Sequence, residues 1–332
     1  MTPIQIRMSD YPGSRPHGEF WNSTNDPLRR IESGEVAVRL DWISIDPGMR
    51  GWITNKRSYM SPVKPGGVMR AFGVGEVLES RSDKIAVGDY VTGFTGVQTH
   101  GVFKDKNVRK VDTNIAPAHM YLSGLGMTGY TAYFGMTDIG RPKQGETVVV
   151  SAASGAVGSV AAQIAKAKGA RVIGIAGGSE KCSYLTDDLG LDAAIDYKQG
   201  DVATALRNSA PKGVDLYFDN VGGAVLEAVL DQMNYKGRIA VCGGISQYGD
   251  FANAAGPANY MTIVTHSLTM QGFTMRDYMD RVPEAFMVLL QGYKDGSLKF
   301  REHIIEGIEN FPEAFDMIFE GRNHGKLLLK VN

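Results

Sequence analysis

Cysteine is scarce. The 332-residue chain has two, Cys182 and Cys242, together with six histidines. That excludes a disulfide framework and leaves too few ligands for a four-ligand zinc site of the usual spacings. An excess of charge of one sign is lacking as well: 35 Lys+Arg face 36 Asp+Glu, a formal net of −1. A protein that holds nucleic acid or an anionic membrane by bulk charge is therefore not expected. Met1–Asp10 has no apolar stretch of the kind a secretory signal carries, so a cytoplasmic protein is expected. One uncharged run, Thr147–Ala165, approaches the length of a membrane span. Its three serines, Gln163, Gly155, Gly158 and a change of pattern midway read instead as a buried strand, a turn and a helix.

Glycine is in excess: 41 residues, about 12% against roughly 7% on average. Hydrophobic residues make up 43%, so the glycines serve a folded chain. Its length fits about two domains. Residues 1–35 are polar and Pro-rich and read as irregular. Val36–Asp46 alternates as a strand, with a phase flip at Ile43 and Ile45 that points to a bulge. Short apolar runs punctuated by Gly or Pro continue to about residue 115, the pattern of a small β-rich, barrel-like domain. From Glu146 onward strands alternate with helices: strands at Thr147–Ser151, Arg171–Ala176, Ala193–Ile195, Val214–Asp219, Arg238–Cys242 and Ser267–Phe273, with helices at Val157–Lys168, Glu180–Leu189, Asp201–Ser209, Ala224–Met233 and Asp280–Tyr293. This predicts an α/β doubly wound parallel sheet. The last 40 residues return to short strands and one helix near Phe311–Phe319.

The sharpest motif is Val150-Ser-Ala-Ala153-Ser-Gly155-Ala-Val-Gly158, between a Val-rich strand and a helix of small residues. It has the place of the dinucleotide fingerprint G-x-G-x-x-G, with Ala153 in place of the first glycine. Gly155 lets backbone approach a pyrophosphate, Gly158 lets helix and strand pack closely, and the helix N-terminus offers N–H groups and a positive dipole end. The next strand ends in Ala176-Gly177-Gly178-Ser179-Glu180-Lys181. An NAD site would place an acid there for the ribose 2′-OH; its absence favours NADP, with Lys181 and Ser179 available to the 2′-phosphate. The bland alternative is a tight turn followed by a solvated lysine.

The chain resembles the medium-chain dehydrogenase/reductase superfamily, in its zinc-free prostaglandin reductase / curcumin reductase branch of NADPH-dependent alkene reductases. The resemblance covers nearly the whole chain. It is carried by Ser44-Ile-Asp46-Pro47-Gly-Met49-Arg50-Gly51, Gly126-Met127-Thr128-Gly129, the motif at 153–158, Phe218-Asp219-Asn220-Val221-Gly222-Gly223, Cys242-Gly-Gly-Ile245-Ser246-Gln-Tyr248 and Gly325-Lys326. It implies a GroES-like β-rich catalytic domain over 1–120 and 294–332, with a Rossmann NADP-binding domain inserted over 121–293. It also implies a homodimer joined through the strand Leu268–Phe273.

For NADPH the resemblance implies contacts from Gly155, Ala156, Val157 and Gly158 at the pyrophosphate, and from Ser179, Lys181 and Tyr197 at the 2′-phosphate and ribose end. Asn220, Ser246 and Tyr248 follow strand ends; Phe273, Met275 and Met127 would flank the nicotinamide; Asn323 and Gly325 would close over the cofactor from the tail. Gly48 stands where many relatives have an aromatic residue, which would reshape the substrate pocket, and Tyr59 matches a substrate-side tyrosine. The expected reaction is hydride transfer to the β-carbon of an α,β-unsaturated ketone or aldehyde without a metal. Tyr248 and Tyr59 are the candidate catalytic groups for the charge that develops on the carbonyl oxygen: the nicotinamide ribose 2′-OH, held by Tyr248, is the expected donor and Tyr59 a second one. A zinc-free quinone oxidoreductase and a non-catalytic NADPH-binding protein remain alternatives on the same scaffold.

Overall fold

The computed structural model describes residues 3–13, 19–56, 60–248 and 254–332. The chain divides into two compact units, one of Met1–Ser123 with Glu302–Asn332, the other of Gly124–Arg301. The sequence boundaries lie at 120/121 and 293/294. Residues up to 301 stay with the second unit. There Gln163 Nε2 donates to the Lys299 carbonyl at 2.9 Å, and the Lys299 amide donates to Gln163 Oε1 at 2.8 Å.

Among the described residues the strands run in chain order as β1 (Gln5–Met8), β2 (Trp21–Thr24), β3 (Glu35–Ser44), β4 (Phe72–Ser80), β5 (Tyr90–Phe94), β6 (His100–Lys104), β7 (Val108–Val111), β8 (Thr147–Ser151), β9 (Arg171–Ala176), β10 (Ala193–Asp196), β11 (Val214–Asp219), β12 (Met233–Val241), β13 (Thr269–Gly272), β14 (Glu302–Glu306) and β15 (Lys326–Lys330).

The first unit is β-rich. Its seven-stranded sheet has the order β14-β15-β3-β4-β5-β7, with β6 also on β3. The β3–β4 register slips between Leu40 and Trp42, so the bulge lies just before the phase flip at Ile43. The irregular reading of residues 1–35 is corrected: β1 and β2 pair antiparallel. Each is only four residues long, which hides its alternation, yet Ile6, Met8 and Trp21 are buried, and Trp21 meets Phe311 and Phe315 edge-on. The chain's end belongs to the same sheet because β15 pairs with β3, Leu328 opposite Ser44. Lys326, 2% exposed, reinforces this joint. Its ammonium donates to the Ile45 carbonyl and to Asp46, each at 2.8 Å.

The second unit holds a six-stranded parallel sheet in the order β10-β9-β8-β11-β12-β13. The order reverses at β8, all five of whose residues are buried. The uncharged run resolves into β8, a turn, and the helix Ala156–Ala167. Small residues on that helix, Ala161, Ala162 and Ala165, are fully buried, so it lies close on the sheet. The expected helix Ala224–Met233 is shorter, Gly223–Leu230, and Met233 already opens β12. The helix expected over Glu180–Leu189 is one α-turn, Ser179–Ser183, continued by a wider π-type stretch, Tyr184–Asp188. Among the described residues no helix is long and apolar enough to cross a membrane.

The β8 turn shows what the glycines do. A Cβ at Gly158 would stand 2.3 Å from the Ala152 carbonyl oxygen, a clash with backbone. The left-handed residue of the turn is Ala152 (φ 47°), not Ala153 in the position of the missing glycine. An alanine there carries strain of about 1–2 kcal/mol. Gly158→Ala is expected to lower stability by about 1–3 kcal/mol, and Ala152→Gly to raise it by up to about 1 kcal/mol. Each kcal/mol corresponds to roughly 2–4 °C in a thermal melt of a unit this size. Opposite or null shifts in both variants would show that the turn is built otherwise.

Candidate active site

In an open parallel sheet, ligands bind outside the carboxyl ends of the strands where the strand order reverses. Here that point lies between β8 and β11. The helix Ala156–Ala167 starts beside it with Gly155 as an uncapped N-cap in extended conformation. The first-turn N–H groups of Ala156, Val157 and Gly158 have no intrahelical acceptor. A Cβ on Gly155 would meet only the Ala152 oxygen, at 3.2 Å, within 4 Å. An anionic group can approach this backbone, so the residues fit a dinucleotide's pyrophosphate.

The last residues of β8 and β11 are polar and tied together. Asp219 is 1% exposed, and one of its carboxylate oxygens, Oδ1, accepts four hydrogen bonds. They come from the Tyr217 hydroxyl (2.8 Å), the amides of Val221 and Gly222 (2.9 Å each) and the Ser151 hydroxyl (3.3 Å). Burial raises the Asp219 carboxyl above its ordinary value, against the pull of these donors. Ser151 in turn accepts from the Asn220 amide at 2.9 Å, and the Asn220 side chain donates to the Ser151 carbonyl at 2.7 Å. The Asp219 carbonyl takes the amides of Cys242 and Gly243 at 2.8 and 3.0 Å, which binds the loop after β12 to the same point.

That loop carries Ser246 and Tyr248. The Ser246 hydroxyl donates to the Val221 carbonyl at 2.6 Å. The Tyr248 hydroxyl accepts from the Gly244 amide at 3.3 Å, and a Cβ on Gly243 would reach within 3.0 Å of it. Asn220, Ser246 and Tyr248 are thus brought together as neighbours on two stitched loops. Burial and then Asp219 push the thiol of Cys242, beside them, up to about 12.

At the β9 end, Gly178 is left-handed (φ 97°) and precedes Ser179, which is exposed. Lys181 is half-buried. Burial first, then the Lys198 ammonium, hold it below the usual lysine value; Glu180 opposes this and Arg301 adds to it. Glu180 does not lie along its own helix but pairs with Arg301 at 3.1 Å. Tyr197 lies across Gly177, where a Cβ would be 2.7 Å from its ring.

Met127 is half-buried at the start of the helix Met127–Phe134. Phe273 follows the edge strand β13. Its ring meets Phe218 and Tyr278 edge-on, and the space is left by Gly135, whose Cβ would stand 2.5 Å from it. Met275 opens the short, tightly wound helical segment Met275–Arg281.

In the first unit, Asn323 Nδ2 donates to the Gly325 carbonyl at 2.9 Å, and Gly325 is left-handed (φ 72°). Gly48 precedes the short helix Met49–Trp52 in ordinary right-handed conformation (φ −57°), so the backbone there does not demand glycine. Tyr59 lies outside the described residues. Among the described residues no group of three His, Cys, Asp or Glu side chains could hold a metal ion.

Sequence reasoning missed Ser151, Asp196 and Asp219 as organisers of these turns. Each is the last residue of a strand. A polar side chain closing an otherwise buried strand was the available signal.

The comparisons agree with this architecture. A family model described as "N-terminal domain of oxidoreductase" matches residues 5–111, and one described as "Zinc-binding dehydrogenase" matches residues 156–291. The chain is 39% identical to the NADPH-dependent curcumin reductase of Escherichia coli, over 96% of this chain and 95% of that one. It is 39% identical to the NADP(+)-dependent 2-alkenal reductase of Nicotiana tabacum, over 90% and 88%. The crystal structure of CurA from Vibrio vulnificus in complex with NADPH superposes with a TM-score of 0.94 at 38% identity, covering 99% of each chain. The chain therefore belongs to the medium-chain dehydrogenase/reductase superfamily, in its prostaglandin reductase / curcumin reductase branch.

Proposed function

We propose that this protein reduces the C=C bond of α,β-unsaturated ketones and aldehydes with NADPH. The reading is carried by the uncapped helix N-terminus at the strand-order reversal, with Lys181 and Lys198 at the end of the neighbouring strands and no acid at the β9 terminus. The relatives named above supply the reaction class. When bound, NADPH supplies a hydride for the β-carbon of the alkene.

The chain's own residues bind and orient. Ala156, Val157 and Gly158 direct amides at the pyrophosphate, while Gly155 leaves room for it. Ser179, Lys181 and Tyr197 take the 2′-phosphate and its ribose. Asn220 and Ser246 hold the ribose–pyrophosphate side, and Met127, Phe273 and Met275 flank the nicotinamide; Asn323 and Gly325 complete cofactor binding. Gly48 and Tyr59 are assigned to the substrate. Negative charge grows on the carbonyl oxygen as the β-carbon is reduced; Tyr248, by holding the nicotinamide ribose 2′-OH that would donate to that oxygen, and Tyr59, as a second donor, are assigned to it. A donor placed in advance at that oxygen lowers the barrier because it need not reorganise. The Tyr248 hydroxyl accepts from the Gly244 amide at 3.3 Å, which leaves its own proton available to donate.

We also assign the protein as a homodimer through the strand Leu268–Phe273. Its ordered part, β13, is paired on one side only, and Tyr260, Met261 and Val264 nearby in the chain are exposed.

Three measurements test these assignments. NADPH oxidation is expected with enones and enals such as 3-nonen-2-one in a panel that includes 1,2-naphthoquinone. Turnover of the quinone alone would move the protein to quinone reduction, and turnover of none would remove the catalytic reading. Tyr248→Phe is expected to lower kcat about a hundredfold; an unchanged kcat removes Tyr248 from the chemistry. Sedimentation equilibrium should give twice the 36.0 kDa of one chain; a single-chain mass at micromolar concentration contradicts the dimer.

A further inference from the structure

We infer that Asp196 is a positioning residue that assembles the 2′-phosphate subsite and so sets the preference for NADPH over NADH. The inference rests on the cofactor reading above and assigns a role to a residue that touches no cofactor in it.

Two segments meet at this subsite. One is the turn after β9, Gly177–Lys181, and the other is the exit from β10, Asp196–Lys198. One oxygen of Asp196, Oδ1, joins them: it accepts the Gly178 amide at 2.8 Å and the Lys198 amide at 2.9 Å. The first bond needs a special backbone, since Gly178 is left-handed at φ 97° and has nothing within 4 Å of where a Cβ would be. The carboxylate gives this amide a fixed partner. The second bond sets the direction in which Lys198 leaves the strand. Between the two bonds, Tyr197 is laid across Gly177. Ser179 and Lys181 on one arm, and Tyr197 and Lys198 on the other, therefore share one anchor.

The electrostatics agree with a subsite built for a dianion. Lys198 and Arg301 both act on Lys181 as like charges, and Glu180, the acid among them, is taken by Arg301. Three cations held close without an equal number of acids favour an added anion. An acid near a 2′-phosphate would ordinarily repel it. At Asp196 two amides donate to Oδ1 and offset part of its charge, and Oδ2 is buried with no hydrogen-bond partner. Beside it a cavity of about 360 Å³ is lined by Ser179, Cys182, Thr186 and Gln199.

Because Oδ1 does the joining, an amide should serve nearly as well as a carboxylate. Asparagine keeps the acceptor oxygen. Alanine removes the anchor. Glutamate keeps the charge but moves the oxygen by one methylene.

The test is calorimetric binding of NADP+ and NAD+ to the whole protein, which does not depend on turnover. Asp196→Ala and Asp196→Glu are expected to weaken NADP+ about tenfold and NAD+ less than about twofold. Asp196→Asn is expected to stay within about threefold of the parent for both. Equal losses for the two cofactors in Asp196→Ala, or a selective loss of NADP+ in Asp196→Asn, would overturn the inference. Should Asp196→Ala fail to fold, the Asn and Glu variants still decide it. Lys181→Ala separates this from the reading beneath it. If Lys181→Ala leaves the preference for NADP+ intact, the subsite itself is misplaced. If it abolishes the preference while Asp196→Ala does not alter it, only the role of Asp196 falls.

Discussion

The site depends on one buried carboxylate oxygen. Asp219 Oδ1 receives the amides of Val221 and Gly222, the Tyr217 hydroxyl and the Ser151 hydroxyl. Two turns leave the carboxyl ends of β11 and β12 at this point, and both must expose backbone to a ligand. A turn that faces a ligand cannot also bury itself for stability. It is held from behind instead, by an acceptor strong enough to bind several donors at once. Burial raises the Asp219 carboxyl and the donors lower it, so the group is a compromise between desolvation and use. An apolar residue there would leave the Val221 and Gly222 amides without their acceptor inside the protein.

Much of the architecture was legible in the sequence because two periodicities carry it. The Val-rich run before Ala153 and the small-residue helix after it could only be a buried strand and a close-packed helix, and the structure has both within a residue of the expected bounds. Arg171–Ala176 and Val214–Asp219 were legible for the same reason, as apolar runs bounded by turn residues. Elements whose pattern is short or interrupted were not. β1 and β2 alternate over only four residues each, and Met233 reads equally as the end of a helix or the start of β12. The β15–β3 pairing joins residues far apart in sequence. No local pattern encodes it; only the return to short strands pointed there.

The site was legible in part, and the division has a physical basis. Residues whose role follows from their backbone stood out: Gly155 and Gly158 are informative because a side chain is absent. Residues that act from behind a turn did not, because Ser151, Asp196 and Asp219 look like any polar residue ending a strand. Ala152 shows the limit of reading a motif letter by letter. The turn keeps its left-handed residue, one position before the alanine that replaces the glycine. Strain at a position that tolerates only slow change in geometry persists when the surrounding contacts over-determine it. Here the Ala153 amide bonds the Ile175 carbonyl and the Gly155 amide bonds the Ala152 carbonyl, which fix the turn on both sides of the strain.

The balance of charge over the whole chain, a net of −1, says little about any one place on it. At physiological ionic strength a charge is felt over about 8 Å, so recognition of a small anion is decided by the few groups within that radius. Around the β9 terminus those groups are Lys181, Lys198 and Arg301, with Glu180 paired to Arg301 and the Asp196 carboxylate bonded to the Gly178 and Lys198 amides. Burial first, and then repulsion from Lys198 and Arg301, hold the Lys181 ammonium below its usual value, and both are an energetic cost in the unliganded protein. A fold keeps such a cost only where something else constrains the arrangement. The hydrogen bonds that Asp196 accepts from the two turns are that constraint, and they act through backbone amides, so cation identity on each arm can vary without disturbing how the arms are held.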